Sequence, residues 1–367
     1  MVVKSNQQPE AELLLEKVLG QEVKIPNLFA LCPFEVKVAP RSEKLEKEVE
    51  LWRSRWITDP TDLKRNRVVD PCLFARAAAP DVELDDMITV AKWVAWIYYW
   101  DDAYDYGDFD GRTRDNVIHR KQTIELFYQS LYNKSPSSID PATIAPGYLT
   151  AQSVHEWGAV VGENCVSDSL KDWTFKVFAE SCTAIARIQH IFDSGKILDL
   201  ETFWAIRHDS SASLPTLALV LYADKVAFPD WFFDHKLVRK AAELSCNIIW
   251  LANDIMSARN ELQCKHIDNL IPLLVYHKGI TPQEAVDESA RMFHQMYLDF
   301  QDLLPQLLQL GEDRGAVDEM QSYIKDCKTT CSGILHWHYH IKRYLPWQPG
   351  MDLDSVYVRL GDEDVRK

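Results

Sequence analysis

The sequence predicts an all-α fold, and three observations carry that prediction. Apolar residues recur at three- and four-residue spacing through most of the chain. Convincing runs of alternating apolar and polar residues are missing. Glycine is scarce, 13 in 367 residues, whereas turn-rich β architectures usually use more. Hydrophobic residues make up 47% and charged residues 26%, close to the soluble globular average, which excludes disordered, collagenous and low-complexity classes. Lys and Arg number 40 against 55 Asp and Glu, a net charge of −15. That field opposes a broad nucleic-acid footprint or an anionic membrane surface, so neither partner is expected, and an anionic ligand would need local cations.

Taken in order, residues 1–24 read as an N-terminal arm without the apolar stretch of a signal peptide, so a cytoplasmic protein is expected. Periodicity then predicts helical segments over Leu84–Tyr106, Val154–Phe192, Trp231–Cys264, Pro282–Leu310 and Ala316–Tyr344. Val90–Trp100 and Leu214–Tyr222 are apolar on most sides, as expected inside a large helical domain. The longest apolar stretch, Ile88–Trp100, includes Lys92 and is shorter than the roughly 20 residues of a membrane span. Asn133–Gly147 is a Ser- and Pro-rich loop. Pro71, Pro80, Pro215, Pro272, Pro282 and Pro305 mark helix starts or ends. There is no internal repeat and no separating linker, so one domain is expected over 25–347, followed by a polar tail over 348–367. The eight cysteines form no CxxC pair and read as reduced core thiols. Cys327 and Cys331 lie one turn apart without a second soft pair, so no zinc site is read there.

Four constellations carry chemistry. Asp101, Asp102 and Asp105 crowd the end of an apolar helix; Asp101 and Asp105 share a face, with Asp102 rotated about 100°. Like charges so placed repel unless a cation sits among them, and oxygen-only ligands suit Mg²⁺ shared with substrate phosphates. Taken alone, the run reads equally as a solvated acidic helix end. Asn253, Ser257 and Glu261 fall at i, i+4 and i+8, one line of roughly 12 Å on one helix face, offering an amide, a hydroxyl and a carboxylate. The apolar residues before them, Ile248–Ala252, place this stripe where burial demands partners. Arg207 and the pair Arg343-Tyr344 add cationic and hydroxyl donors suited to phosphate oxygens; singly, each reads as a surface ion-pair partner. Aromatic residues, Phe74, Trp96, Tyr98, Phe178, Trp204, Trp250 and Trp337 among them, lie near these motifs in sequence. They are core residues or a cavity lining whose faces attract positive charge.

In combination these residues resemble the class I terpene cyclases. Asp101-Asp102-Ala103-Tyr104-Asp105 is similar to their DDxxD motif, and Asn253 to Glu261 to their NDxxSxxxE motif. Arg207, 46 residues before Asn253, matches their pyrophosphate-sensor arginine, and Arg343-Tyr344 their C-terminal RY pair. Pro71–Pro80 is similar to an N-terminal segment of fungal and bacterial members. The resemblance covers roughly 25–347 and is strongest to sesquiterpene synthases. It implies a single-domain helical bundle with a central apolar cavity, an isoprenyl diphosphate substrate and three Mg²⁺ ions, with Mn²⁺ as a substitute. It implies Asp101, Asp102, Asp105, Asn253, Ser257 and Glu261 as metal ligands. Arg207, Arg343 and Tyr344 would contact the diphosphate, and Ser210 and Ser211 would be the helix-break effector positions. Many members carry Lys before the motif's final Glu; here Asn260 stands there, and Arg259 is the candidate replacement. A homodimer is the association the family suggests. The implied reaction is ionisation and cyclisation of farnesyl diphosphate to a hydrocarbon or alcohol. Geranylgeranyl diphosphate cyclisation, prenyl-chain elongation and a non-catalytic helical binder are the alternatives.

Overall fold

The computed structural model describes residues 8–105, 113–133, 148–193, 196–345 and 350–362; within these, the side chains of residues 8, 9, 104, 105, 113–116, 133, 189, 192 and 193 lie outside the description. So do residues 134–147 of the loop expected over Asn133–Gly147, and Asp108 and Asp110. The elements run α1 (Gln8–Val18), β1 (Glu22–Ile25), α2 (Leu28–Leu31), α3 (Glu43–Trp56), α4 (Pro60–Val68), α5 (Pro71–Ala78), α6 (Leu84–Asp105), α7 (Thr113–Asn133), α8 (Leu149–Asn164), α9 (Asp168–Asp193), α10 (Leu200–Ser210), α11 (Ser213–Ala223), α12 (Lys236–Gln263), α13 (Leu270–Lys278), α14 (Pro282–Arg314), α15 (Val317–His340) and β2 (Val356–Arg359).

Local chemistry sets the ends. Asp199 and Asn269 accept backbone N–H bonds as N-caps, and Thr281 forms a capping box with Glu284 ahead of the long α14. Gly279 and Gly315 end α13 and α14 in the left-handed conformation. The span expected as one helix over Val154–Phe192 is two, α8 and α9. Ser167 breaks it: its Oγ accepts Leu170 N–H at 3.3 Å and donates to Phe228 O at 3.0 Å.

Helix α11 is the axis of the bundle. All its residues except Leu214 are buried, and it packs against α6, α9, α12 and α15. Ridges on α6 and α12 therefore meet across a common interior rather than on a surface. Behind α6, Trp93, Trp96, Trp157, Phe127 and Phe178 interlock, with ring centroids 4.0–6.1 Å apart along the cluster. All eight cysteines are free thiols.

The chain ends depart from the expected arm and tail. Helix α1 packs on α13, and β1 pairs antiparallel with β2, Val23 opposite Val358 and Ile25 opposite Val356. Val23, Ile25, Val356 and Val358 are all buried. Four-residue strands give too short an alternation to read against a helical background. Among the described residues, no helix is long and apolar enough to cross a membrane.

Candidate active site

One cavity of about 150 Å³ gathers most of the polar residues singled out from the sequence. Asp101 reaches it from the end of α6, and Arg207 from the last turn of α10. Ser210 and Ser211 line it at the α10–α11 break, where Ala212 takes φ 55°. Asn253, Ser257 and Glu261 present their stripe from α12, and Arg343 and Tyr344 close it beyond α15. The apolar wall comes from Phe74, Val94, Ile97, Ile185, Ile249, Trp250, Ile334 and Trp337.

A hydrogen-bonded network crosses this mouth. Arg207 donates from Nη2 to Asn253 Oδ1 at 2.7 Å and from Nε to Asp254 Oδ1 at 2.8 Å. Burial opposes the guanidinium charge, but the fields of Asp254 and Glu261 outweigh it and hold its pKa above the ordinary arginine value. Asp254 is fully buried; burial raises its carboxyl pKa, and the Arg207 guanidinium pulls against that rise. Leu270 N–H supplies the second anchor, 2.9 Å from Asp254 Oδ2. Asn253 Nδ2 lies 3.2 Å from both Tyr344 OH and His338 Nε2. Burial pulls His338 down to about 3, so its ring is neutral and Nε2 can accept. Tyr344 OH meets Tyr98 OH at 2.9 Å, and the Arg343 guanidinium lies 4.8 Å from the Tyr98 ring centroid. Arg343 Nη2 lies 3.5 Å from Asp102 Oδ1, and Asn260 Nδ2 donates to the Arg343 carbonyl.

Helices so arranged, with acids and cations facing each other over an apolar hollow, match a known pattern. The family model described as "Terpene synthase family 2, C-terminal metal binding" matches residues 92–299. The chain belongs to this terpene synthase family. It is similar to (+)-eremophilene synthase of Gibberella fujikuroi, 24% identical over 343 residues, covering 92% of each chain. It is also 24% identical to sesquiterpene synthase Agr1 of Cyclocybe aegerita, covering 92% of this chain and 91% of that one. A solved hedycaryol synthase superposes with a TM-score of 0.70 at 18% identity, over 86% of this chain and 98% of that one. The all-α class I terpenoid synthase fold is therefore shown, and the protein is an enzyme with terpene synthase activity and a metal-binding domain.

The donor chemistry of this terpene synthase fits a hard divalent cation. Asp101, Asn253, Ser257 and Glu261 offer carboxylate, amide and hydroxyl oxygens to one cavity. Among the described residues no three His, Cys, Asp or Glu side chains converge into a closed cage. The donors are instead split between α6 and α12, an arrangement suited to cations that complete their shell with ligand oxygens.

Some expected residues stand elsewhere. Asp102 is buried against Arg343 and is not part of the cavity wall. The Asp105 side chain lies outside the described residues. Arg259 does not line the cavity; its carbonyl accepts Gly361 N–H at 3.0 Å, and its neighbour Asn260 lines the wall instead. Among the aromatics, Phe74, Tyr98, Trp250 and Trp337 line the cavity, whereas Trp96, Phe178 and Trp204 do not. The correction for α6 is angular. Val94, Ile97, Tyr98 and Asp101 form the cavity stripe, while Trp93, Trp96 and Trp100 face the aromatic cluster, with Trp96 Nε1 donating to Thr150 O at 2.8 Å. Phe178 belongs to that same cluster, 4.0 Å from Phe127 between ring centroids. Trp204 packs edge-on against Trp250, 4.6 Å between centroids, and is not part of the cavity wall. A helical wheel indexed on Asp101 would have separated Tyr98 from Trp96. Sequence reasoning does not reach Asp254, His338 or Asn269 as site residues, although Asp254 stands inside the Asn253–Glu261 motif.

Proposed function

We propose that this terpene synthase is an Mg²⁺-dependent cyclase of a linear isoprenyl diphosphate, with farnesyl diphosphate preferred, releasing diphosphate and a terpene hydrocarbon or alcohol. The single observation that carries the reading is the shared cavity. Asp101, the Asn253/Ser257/Glu261 stripe and Arg207, Arg343 and Tyr344 ring its polar end, and apolar and aromatic side chains form the rest. The resemblance to sesquiterpene synthases supports the C15 chain length.

Asp101, Asn253, Ser257 and Glu261 would hold the metal, three Mg²⁺ by the resemblance; when bound, it draws charge from the diphosphate and makes it a better leaving group. Arg207 and Arg343 supply planar N–H pairs to phosphate oxygens, and Tyr344 adds a hydroxyl donor. In a chain of net charge −15 these local cations make anion binding feasible. The apolar part of the wall offers water no hydrogen-bond partners, which would protect the allylic cation left by C–O cleavage from early quenching. Ile97, Ile249 and Ile334 shape the folded hydrocarbon, while Phe74, Trp250 and Trp337 bring aromatic rings, whose faces attract positive charge, to the same wall. His338, neutral but strongly resistant to protonation, lines the wall without acting as a strong base there.

The test is incubation of the purified protein with Mg²⁺ and C10, C15, C20 or C25 diphosphates, reading volatile products by gas chromatography. The C15 substrate is expected to give a cyclic product. Asp101→Ala and Asn253→Ala are each expected to abolish it. Product formation near the wild-type rate in both variants would defeat the site assignment. Consumption of isopentenyl diphosphate with release of a longer diphosphate would replace the cyclase reading by chain elongation.

A further inference from the structure

Eight residues beyond Glu261 the chain turns back through Asn269, which is fully buried. Its Oδ1 accepts Ile271 N–H at 2.9 Å and so caps α13. That bond fixes the orientation of the amide: only the oxygen can accept, so Nδ2 is turned to α12. There Nδ2 donates to Glu261 Oε2 at 2.8 Å and to the Asp254 carbonyl at 2.9 Å, and it lies 3.4 Å from Ser257 Oγ. One amide thus touches three successive turns of the polar face. The next residue, Leu270, gives its N–H to Asp254, the carboxylate that carries Arg207.

We propose that Asn269 is the positioning residue of the α12 donor stripe, holding Glu261 and Ser257 in the rotamers that let both oxygens meet one divalent cation. This rests on the metal-dependent reading above. A glutamate at a cavity edge loses substantial rotamer entropy when it is fixed on a ligand. A charge-assisted N–H···O bond to one carboxylate oxygen removes that freedom beforehand and leaves the other oxygen for the cation. Asn269 itself does not line the cavity, so its action is through its neighbours.

Asn269→Ser separates this role from helix capping, because serine caps α13 equally well but is too short to reach Glu261. Asn269→Thr is a second variant of the same design. Two readouts are needed: the thermal shift that Mg²⁺ plus inorganic pyrophosphate produces, and the Mg²⁺ concentration that half-saturates turnover. Both variants are expected to melt within a few degrees of the wild type without ligand. Their pyrophosphate-induced shift should shrink, and half-saturating Mg²⁺ should rise about tenfold or more, as loss of a ligand's supporting contact does elsewhere. At saturating Mg²⁺, turnover should largely recover. A wild-type Mg²⁺ response in either variant would overturn the proposal, as would a loss of turnover that no Mg²⁺ concentration restores. Failure of both variants to fold would assign Asn269 to stability alone and overturn it too. Absence of any Mg²⁺-dependent shift in the wild type would instead defeat the cyclase reading.

Discussion

Arg207 and Asp254 illustrate how a single residue pair couples stability to the site. Asp254 is sealed from solvent, 2.7 Å from the guanidinium, so the carboxylate depends on Arg207 and the Leu270 N–H in place of water, while Arg207 keeps one side open to the cavity. Asp254→Ala removes the counter-ion of Arg207 and the acceptor of Leu270 N–H together. It should destabilise the fold by about 3–5 kcal/mol, the usual effect of stranding a buried charge. Denaturant unfolding measures this, and an unchanged midpoint would remove Asp254 from the network. Pyrophosphate binding with Mg²⁺ should weaken as well, although Asp254 does not line the cavity, because Arg207 loses its brace. Arg207→Lys keeps the charge but cannot use two nitrogens on Asn253 and Asp254 at once, so turnover should fall about a hundredfold, roughly 3 kcal/mol. At this scale, the motif residues were legible because their spacing is a chemical pattern in the chain itself. Asn269 and His338 were not, because their role exists only once α13 and α15 are packed against α12. Trp96, Phe178 and Trp204 were misplaced because hydrophobicity identifies burial without distinguishing core from cavity wall.

Helix α15 delivers Trp337 and His338 to the cavity and leads into Arg343-Tyr344, so its seat on α5 sets the position of the mouth. That seat depends on Gly333. A Cβ there would lie 2.1 Å from the Ala77 carbonyl oxygen and 2.6 Å from Ala78 N, both backbone atoms that cannot rotate away. Gly333→Ala should therefore force α15 off α5 and destabilise the fold by about 3 kcal/mol or more. Any protein recovered should show lower turnover, since Trp337 also anchors to Val69 O through its indole N–H at 2.7 Å. A melting temperature within a degree or two of the wild type would contradict this seat. The long helices were legible at this scale, α6, α12, α14 and α15 from their periodicity and the buried α11 from its continuous apolar run. The α8–α9 break was missed because the capping role of Ser167 competes with a periodic signal that continues on either side of it. The α10–α11 break was expected from the resemblance, but the left-handed Ala212 that makes it has no signature in an alanine.

For the molecule as a whole, the two chain ends and the buried imidazoles decide how the bundle responds to truncation and acid. Strand β2 fills a gap beside β1 with Val356 and Val358, and Leu360 is buried just beyond it; Gly361 then donates to Arg259 on α12. Removal of residues 346–367 should lower the melting temperature by more than about 10 °C, since several kcal/mol of aliphatic burial disappear. The same deletion should weaken pyrophosphate binding, because α12 loses a tether two residues from Glu261. The acid response follows from His119, wholly buried, hydrogen-bonded to Thr150 Oγ1 at 2.6 Å and stacked on Trp100. Burial pulls it from 6.5 down to about 3, so the folded protein refuses a proton that the unfolded chain accepts below pH 6.5. The unfolded state then binds more protons, and stability falls as pH falls. The contribution is fully present above about 6.5 and is lost progressively toward 3, at up to about 1.4 kcal/mol per pH unit. His119→Asn should melt lower than the wild type at pH 8, because stacking and packing are lost. It should also lose less between pH 6.5 and 4, so that the two melting curves converge in acid. Parallel curves across that range would show that the buried imidazole of α7 does not set the acid limit of the fold.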